Sequence, residues 1–215
     1  MARKFTARGE ELRRAVAVEA ARIMSEHGIE DYLLAKRKAA ERLGVTDSAA
    51  LPKNTEIEAA LVEYQRLFAA DSHSQTLAEQ RRAALDAMQL LQEFEPRLVG
   101  PVLAGTATAH ADVDLHLFAD TAEAVALKLL DCGIRHEVIE RRVRMDPDRL
   151  VNYPAVRFAA RDQLIDATVF PRDGIRQAPF SPVDGRPMRR AGMSEIEAML
   201  EASDGLLVDG TSGNG

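Results

Sequence analysis

The 215-residue chain is poor in three features that would point to a particular class of protein: cysteine, long apolar runs and excess positive charge. Its single cysteine, Cys132, excludes an internal disulfide, and the leucine-rich helical pattern around it favours a core position over a nucleophile. No apolar run is long enough to span a bilayer, and no charged and then apolar leader opens the sequence. We therefore expect a cytoplasmic protein with no membrane partner.

The charge balance is acidic, with 34 aspartates and glutamates against 28 lysines and arginines and a formal net charge of -6. Proteins that coat nucleic acid through bulk electrostatics carry the opposite excess, so that class is disfavoured, although a local basic groove stays possible. Hydrophobic residues make up 46% and charged residues 29%, as in ordinary soluble proteins. A chain of this length can bury a sizeable core.

The apolar residues of the N-terminal part recur at helical spacing. The first expected helix ends at Gly28, and a second runs from Asp31 to Leu43 and ends at Gly44. The second helix carries a basic cluster that is either a solvated face or a phosphate-contacting surface. This cluster consists of Lys36, Arg37, Lys38 and Arg42.

Two capping boxes predict two further helices before the pattern changes. Thr55 and Glu58 would open the third helix, and Thr76 and Glu79 would open the fourth after a loop at residues 71–74. The fourth helix is expected to stop before Pro96, because the residue preceding a proline disfavours helical geometry.

From Arg97 onward, strand-like and helical segments alternate. The last two strand-like runs form a hairpin around Arg161 and Asp162. Residues 98–104, 112–118, 134–145, 153–160 and 164–170 are expected as strands, and residues 121–131 and a segment from about Ser194 as helices. The predicted fold class is α+β, with a mixed β-sheet and flanking helices over residues 95–202, an N-terminal helical module over 1–94 and a flexible tail over 203–215.

Two aspartates share one face of a predicted strand. Asp112, Asp114 and His116 alternate with aliphatic residues, so the polar side chains lie on one face while the aliphatic ones enter the core. Carboxylates at positions i and i+2 lie roughly 7 Å apart along a strand and can close on a divalent cation, which offsets their repulsion. His116 is either a hydrogen-bonded core histidine or a direct ligand.

A third aspartate, Asp166, lies in the middle of an otherwise apolar strand, where an unpaired carboxylate would be costly. Two interpretations explain it. Asp166 forms a salt bridge with Arg157 on the neighbouring strand, or it is a third ligand for a metal held by Asp112 and Asp114.

These motifs together resemble the nucleotidyltransferase superfamily typified by DNA polymerase beta and its minimal bacterial relatives. The resemblance consists of a strand, a turn at Gly105-Thr106, the aspartate pair Asp112-Val113-Asp114 on the next strand and the isolated Asp166 on a later one. It covers residues 97–172. Thr106 stands where the family has serine or a second glycine.

The resemblance implies transfer of a nucleoside monophosphate from an NTP to an acceptor hydroxyl, with pyrophosphate leaving. Two Mg²⁺ or Mn²⁺ ions about 3.5 to 4 Å apart activate the hydroxyl and neutralise the leaving phosphates in such reactions. By this resemblance Asp112 and Asp114 would bridge both ions. Asp166 would bind the ion on the hydroxyl side and accept the proton.

The resemblance also implies a nucleotide-binding loop before the aspartates. Gly105 would let the backbone approach the triphosphate, and the amide and hydroxyl of Thr106 would hold its terminal phosphates. His110 or Arg141 would add a phosphate contact, although His110 also suits a loop surface.

Two alternatives stay open at this point. A catalytically silent member of the fold would bind nucleotides or proteins without turnover, and a glycosyltransferase would use the Asp-x-Asp motif to hold a metal and a nucleotide sugar. The helical character of residues 1–94 argues against the glycosyltransferase. The acceptor, whether a protein side chain, an RNA end or a small molecule, and the base of the NTP stay open.

Overall fold

A computed structural model describes residues 2–46, 51–68, 70–146 and 148–209. The chain divides into two compact units. The first contains residues 1–73, 108–111 and 182–184, and the second contains residues 74–107, 112–181 and 185–215. The C-terminal part of the predicted helical module therefore belongs to the second unit from Ser74 onward.

The first unit is built from helices α1 (Ala2–His27), α2 (Tyr32–Arg42) and α3 (Asn54–Phe68), as the apolar spacing predicts. Their apolar faces form a common core. This core includes Val16, Ala20, Ile23, Ala35, Ala39, Ile57 and Leu61. Residues 47–50, between α2 and α3, lie outside the described residues.

The start of α3 differs from the prediction by two residues. The Glu56 carboxylate accepts a hydrogen bond from the Lys53 amide at 2.6 Å, and this contact takes the place of the predicted pair Thr55 and Glu58. At the start of α2, in contrast, the Asp31 carboxylate caps the helix by accepting from the amides of Leu33 and Leu34.

Helix α4 (Ala70–Leu90) runs through residues 71–74, so the predicted loop there is wrong. Thr76 and Glu79 consequently lie inside the helix and do not form its cap. A 3₁₀ turn, Gln92–Phe94, follows and ends at Glu95 in the left-handed conformation. The polar residues 71–74 are compatible with a helix, because local propensity is a weak signal that tertiary packing overrides.

The second unit contains a five-stranded mixed sheet, counted over the described residues. The strands are β1 (Arg97–Leu98), β2 (Val113–Phe118), β3 (His136–Asp146), β4 (Arg149–Ala160) and β5 (Gln163–Phe170). Their order in the sheet is β1-β2-β5-β4-β3. β2 and β5 are parallel, whereas the other neighbouring strands are antiparallel. The mixed sheet with its helices is compatible with the predicted α+β class.

The expected strand over residues 98–104 is wrong beyond its first residue. β1 ends at Leu98, and Gly100–Ala104 form the short helix α5, with Pro101 in its first turn and Gly105 as its C-cap at φ 82°. Backbone amides in the first turn of a helix have no partner within the helix, so proline, which lacks this amide, is tolerated there. Glycine adopts the left-handed conformation that ends a helix.

The hairpin between β4 and β5 is confirmed. Arg161 and Asp162 connect the two strands, both at positive φ, as the tight turn between twisted strands requires. Helix α6 (Ala122–Asp131) lies where a helix is predicted, and the Thr121 hydroxyl caps its start. Cys132 after it is exposed, so its predicted core position is wrong.

Helix α7 (Met193–Asp209) closes the described chain and continues through residues 203–209, where composition favoured a flexible tail. Residues 210–215 lie outside the described residues. No helix in the described part is both long and apolar enough to cross a membrane.

Candidate active site

Three acidic side chains meet on one face of the sheet. Asp114 on β2 and Asp166 on β5 are directly opposite each other in the parallel register, so their side chains share a face. Asp112 immediately precedes β2 and lies two residues from Asp114. The strand register therefore brings together the three aspartates predicted as catalytic and metal-binding residues.

Asp166 is the buried member of this group, with a side chain that is only 1% exposed. Its Oδ2 accepts hydrogen bonds from the guanidinium groups of Arg141 and Arg157, the latter at 2.9 Å. Arg157 is directly opposite Asp166 in the antiparallel pairing of β4 with β5. The predicted Asp166–Arg157 salt bridge is therefore formed, alongside the convergence with Asp112 and Asp114.

One guanidinium nitrogen links two of the carboxylates. Arg157 Nη2, which bonds to Asp166, also lies 3.6 Å from Asp112 Oδ2. Burial raises the pKa of the Asp112 carboxyl above its usual value; the positive charge of Arg157 opposes this and the negative charge of Asp166 adds to it. The hydrogen bond to Asp166 raises the pKa of Arg141, and the charges of Asp114 and Asp112 act in the same direction.

The glycine that lies against the Asp114 carboxylate is Gly100, whereas the close approach to a triphosphate expected of Gly105 stays a prediction. Gly100 has a φ of +70°, and a Cβ atom there would lie 2.6 Å from Asp114 Oδ2. Among the described residues, the atoms near a Cβ on Gly105 belong to Arg81 and Leu77, at ordinary contact distances. Sequence analysis misses Gly100 because the apolar residues 98–104 predict a strand. The helix signals in this segment are Pro101 in the first turn and Gly105 after the last residue.

The other residues of the predicted phosphate-binding loop have diverse positions. Thr106 is buried, and its amide donates to the Pro101 carbonyl at 3.0 Å. His110 is exposed and belongs to the first unit, where its ring lies close to Gly28: a Cβ on Gly28 would lie 2.8 Å from His110 Cβ. Their proposed contacts with a nucleotide stay predictions.

His116 shares the aspartates' face but is buried and bonded elsewhere. Its Nδ1 accepts a hydrogen bond at 3.0 Å from Nε of Arg190, whose guanidinium also donates to the carbonyls of Gly174 and Ile175. Burial, aided by the charge of Arg190, lowers the pKa of His116 to about 3, so the ring is neutral. These contacts favour the core-histidine interpretation and give Arg190 a packing role.

The chemistry of the donor set fits a divalent cation. Three carboxylates supply the hard oxygen ligands that Mg²⁺ and Mn²⁺ prefer. In the described residues, however, no group of three or more histidine, cysteine, aspartate or glutamate side chains is already arranged around a cation position. The guanidinium groups of Arg141 and Arg157 hold Asp166 Oδ2 instead, so a cation at this carboxylate requires a rearrangement.

Fold and site together define a mixed α/β protein whose five-stranded sheet carries a carboxylate–guanidinium cluster on one face, counted over the described part of the chain. In comparisons with known proteins, no family model, no curated protein and no solved structure matches the chain.

Proposed function

We propose that this protein is a metal-dependent nucleotidyltransferase that moves a nucleoside monophosphate from an NTP to an acceptor hydroxyl, with pyrophosphate as the leaving group. The observation that carries the proposal is the convergence of Asp112, Asp114 and Asp166 on adjacent parallel strands. Carboxylates that repel one another are costly in a half-buried place, and a cation-binding role is a physical reason to keep three of them there.

In this proposal, Asp112 and Asp114 would hold the divalent cation, and Asp166 would join them once one of its two guanidinium partners rearranges. A bound Mg²⁺ or Mn²⁺ would supply charge neutralisation at the phosphates and a lowered pKa for the attacking hydroxyl. Gly100 leaves room for the Asp114 carboxylate, because any side chain there would overlap with Oδ2. The arginines of the cluster are positioned to offset part of the negative charge of an incoming nucleotide.

A second candidate function has its own supporting observation. Arg141 and Arg157 already neutralise Asp166, and Arg157 also lies beside Asp112. A self-neutralised cluster of this kind supports a catalytically silent module that binds a nucleotide or a protein without turnover. Nucleotide binding alone does not separate the two candidates, because both would bind; release of pyrophosphate does.

The test is pyrophosphate release from each NTP in the presence of Mn²⁺ or Mg²⁺, with a cell lysate as the source of acceptors. Asp112→Asn and Asp114→Asn should each lower the rate at least about 100-fold, the scale expected when a metal-dependent charge-stabilising group is lost. Asp120→Asn is the matched control, because Asp120 is an exposed aspartate beyond the other end of β2 that pairs with Arg172. Absence of pyrophosphate release from the folded wild type with all NTPs would favour the silent module.

A further inference from the structure

Two guanidinium groups share Asp166, but they are held in different ways. Arg157 lies on the interior strand β4, directly opposite Asp166, and contacts both Asp166 and Asp112. Arg141 lies on the edge strand β3 and must extend past β4 to reach β5. Its side chain is 40% exposed, against 30% for Arg157.

These differences separate a fixed cation from an exchangeable one. Moving Arg157 would break its contacts with two carboxylates. Arg141 contacts Asp166 from β3, which is the edge strand of the described sheet, so its half-exposed side chain can turn into solvent. An arginine side chain has several rotatable bonds and can keep its charged head in water while its stem follows the protein surface. The incoming cation would replace the positive charge that Asp166 loses when Arg141 moves away.

Arg141 is close enough to all three carboxylates to interact with each of their charges. Asp166 is its hydrogen-bond partner, and the charges of Asp114 and Asp112 act on it as well. A divalent cation bound by the same carboxylates would experience the same attraction. Two positive groups cannot occupy one position, because each would repel the other and compete for the same oxygen lone pairs.

We propose that Arg141 is an internal counter-ion of this site: in the cation-free protein its guanidinium holds the position at Asp166 that a divalent cation takes, and cation binding requires Arg141 to leave. This inference rests on the proposed function, since it assigns the order of events at the same carboxylates. It makes Arg141 a competitor for the cation, whereas Arg157 keeps Asp166 in place in both states.

The test is the affinity for Mn²⁺ alone, measured by titration calorimetry on the full chain without nucleotide. Arg141→Gln should bind Mn²⁺ about ten-fold more tightly than the wild type, at the low end of the effect that a neighbouring opposite charge has on a carboxylate's proton affinity. Arg142→Gln is the matched control. It removes the same charge from the next residue of β3, which is exposed and points to the opposite face of the sheet.

A second variant and a second measurement guard against a folding defect in Arg141→Gln. Arg141→Lys keeps the positive charge and should bind Mn²⁺ with an affinity close to that of the wild type. Mn²⁺ should also raise the melting temperature of Arg141→Gln more than that of the wild type, because at the same concentration a ligand that binds the folded state more tightly stabilises it more.

Equal or weaker Mn²⁺ binding by Arg141→Gln, relative to Arg142→Gln, would overturn the inference, as would the absence of Mn²⁺ binding in all variants. Its failure is distinguishable from failure of the proposed function. Pyrophosphate release by the wild type together with unchanged Mn²⁺ affinity in Arg141→Gln would overturn only the counter-ion role. Tighter Mn²⁺ binding by Arg141→Gln without any pyrophosphate release by the wild type would overturn only the nucleotidyl transfer.

Discussion

Gly100 lies against the carboxylate of Asp114 so closely that a Cβ atom on Gly100 would be 2.6 Å from Asp114 Oδ2. Asp114 Oδ2 is at the end of a side chain and can move. A substitution at Gly100 should therefore shift the Asp114 carboxylate and leave the fold intact. The relationship therefore connects a backbone position in α5 to the geometry of the candidate active site.

Gly100→Ala is expected to weaken Mn²⁺ binding and pyrophosphate release at least about ten-fold, because a displaced ligand costs on the order of 1.4 kcal/mol or more in binding. Gly133→Ala is the matched control: Gly133 has the same φ of +70° but open space around its Cβ position. Both variants should lose about 1 kcal/mol of stability from the left-handed backbone. Equal effects of the two variants on Mn²⁺ binding would contradict the role given to Gly100.

The Gly100 segment also shows where sequence analysis reached its limit. The run Leu98-Val99-Gly100-Pro101-Val102 is apolar and short, and periodicity does not separate a buried strand from a buried helix over so few residues. A predicted strand over residues 98–104 puts the glycine turn at Gly105 and assigns no function to Gly100. Proline in the first turn and glycine after the last were the helix signals, and they outweigh apolar character.

The faces of β2 and β5, in contrast, follow directly from alternation. Alternation places Asp112 and Asp114 on one face of β2, and Asp166 on a defined face of β5, because the strand period is two and does not depend on distant contacts. The sheet order decides which strands are neighbours. It also decides that Arg141 on the edge strand reaches Asp166. That order is a tertiary property, and local patterns carry no signal for it.

Arg157 should contribute more to stability than a surface arginine. Arg157→Gln removes a cation shared by Asp166 and Asp112 and leaves the buried Asp166 carboxylate with one partner fewer. Because Arg157 is partly exposed, the free energy of unfolding should fall by only about 2 kcal/mol. Urea denaturation measures this. Arg172→Gln, which breaks an exposed pair with Asp120, should cause no measurable change, and equal destabilisation by the two variants would argue against a structural role of the cluster.

His116 should make stability depend on pH. Its pKa falls from an ordinary value of 6.5 to about 3 in the folded protein, so between these values the unfolded chain binds the proton and the folded chain does not. Stability contributed by the neutral ring is complete above pH 6.5 and is lost as the pH falls toward 3. The slope has an upper limit of about 1.4 kcal/mol per pH unit.

The measurement is the unfolding free energy of the wild type and of His116→Asn at several pH values within that window. Asparagine keeps an acceptor for Arg190 but does not titrate. The carboxylates titrate in both proteins, so the difference between the two unfolding free energies reports on the histidine alone. The wild type should lose stability more steeply than the variant as the pH falls. Parallel curves for the two proteins would show that His116 is not held neutral.

The hairpin turn offers a separate test of the fold. Asp162 has a φ of 61°, which glycine adopts without strain, and the preceding Arg161 has a φ of 46°. Asp162→Gly should therefore stabilise the protein by about 0.5 kcal/mol, the balance between relief of strain and the greater freedom of glycine in the unfolded chain. Asp162→Ala keeps the strain and should not stabilise. Greater stability of the alanine variant would exclude this turn geometry.

The transferred group itself is the most direct readout of the proposed activity. The experiment compares ATP labelled at the α-phosphate with ATP labelled at the γ-phosphate, each with Mn²⁺ and a cell lysate. The position of the transferred label distinguishes nucleotidyl transfer from other uses of the nucleotide. If ATP is not the substrate, the other α-labelled NTPs are tested in the same way. The wild type should move α-label to an acceptor and leave γ-label in free pyrophosphate, and Asp114→Asn should do neither. Transfer of γ-label, or no transfer of α-label from any NTP by the folded protein, would contradict the proposed function.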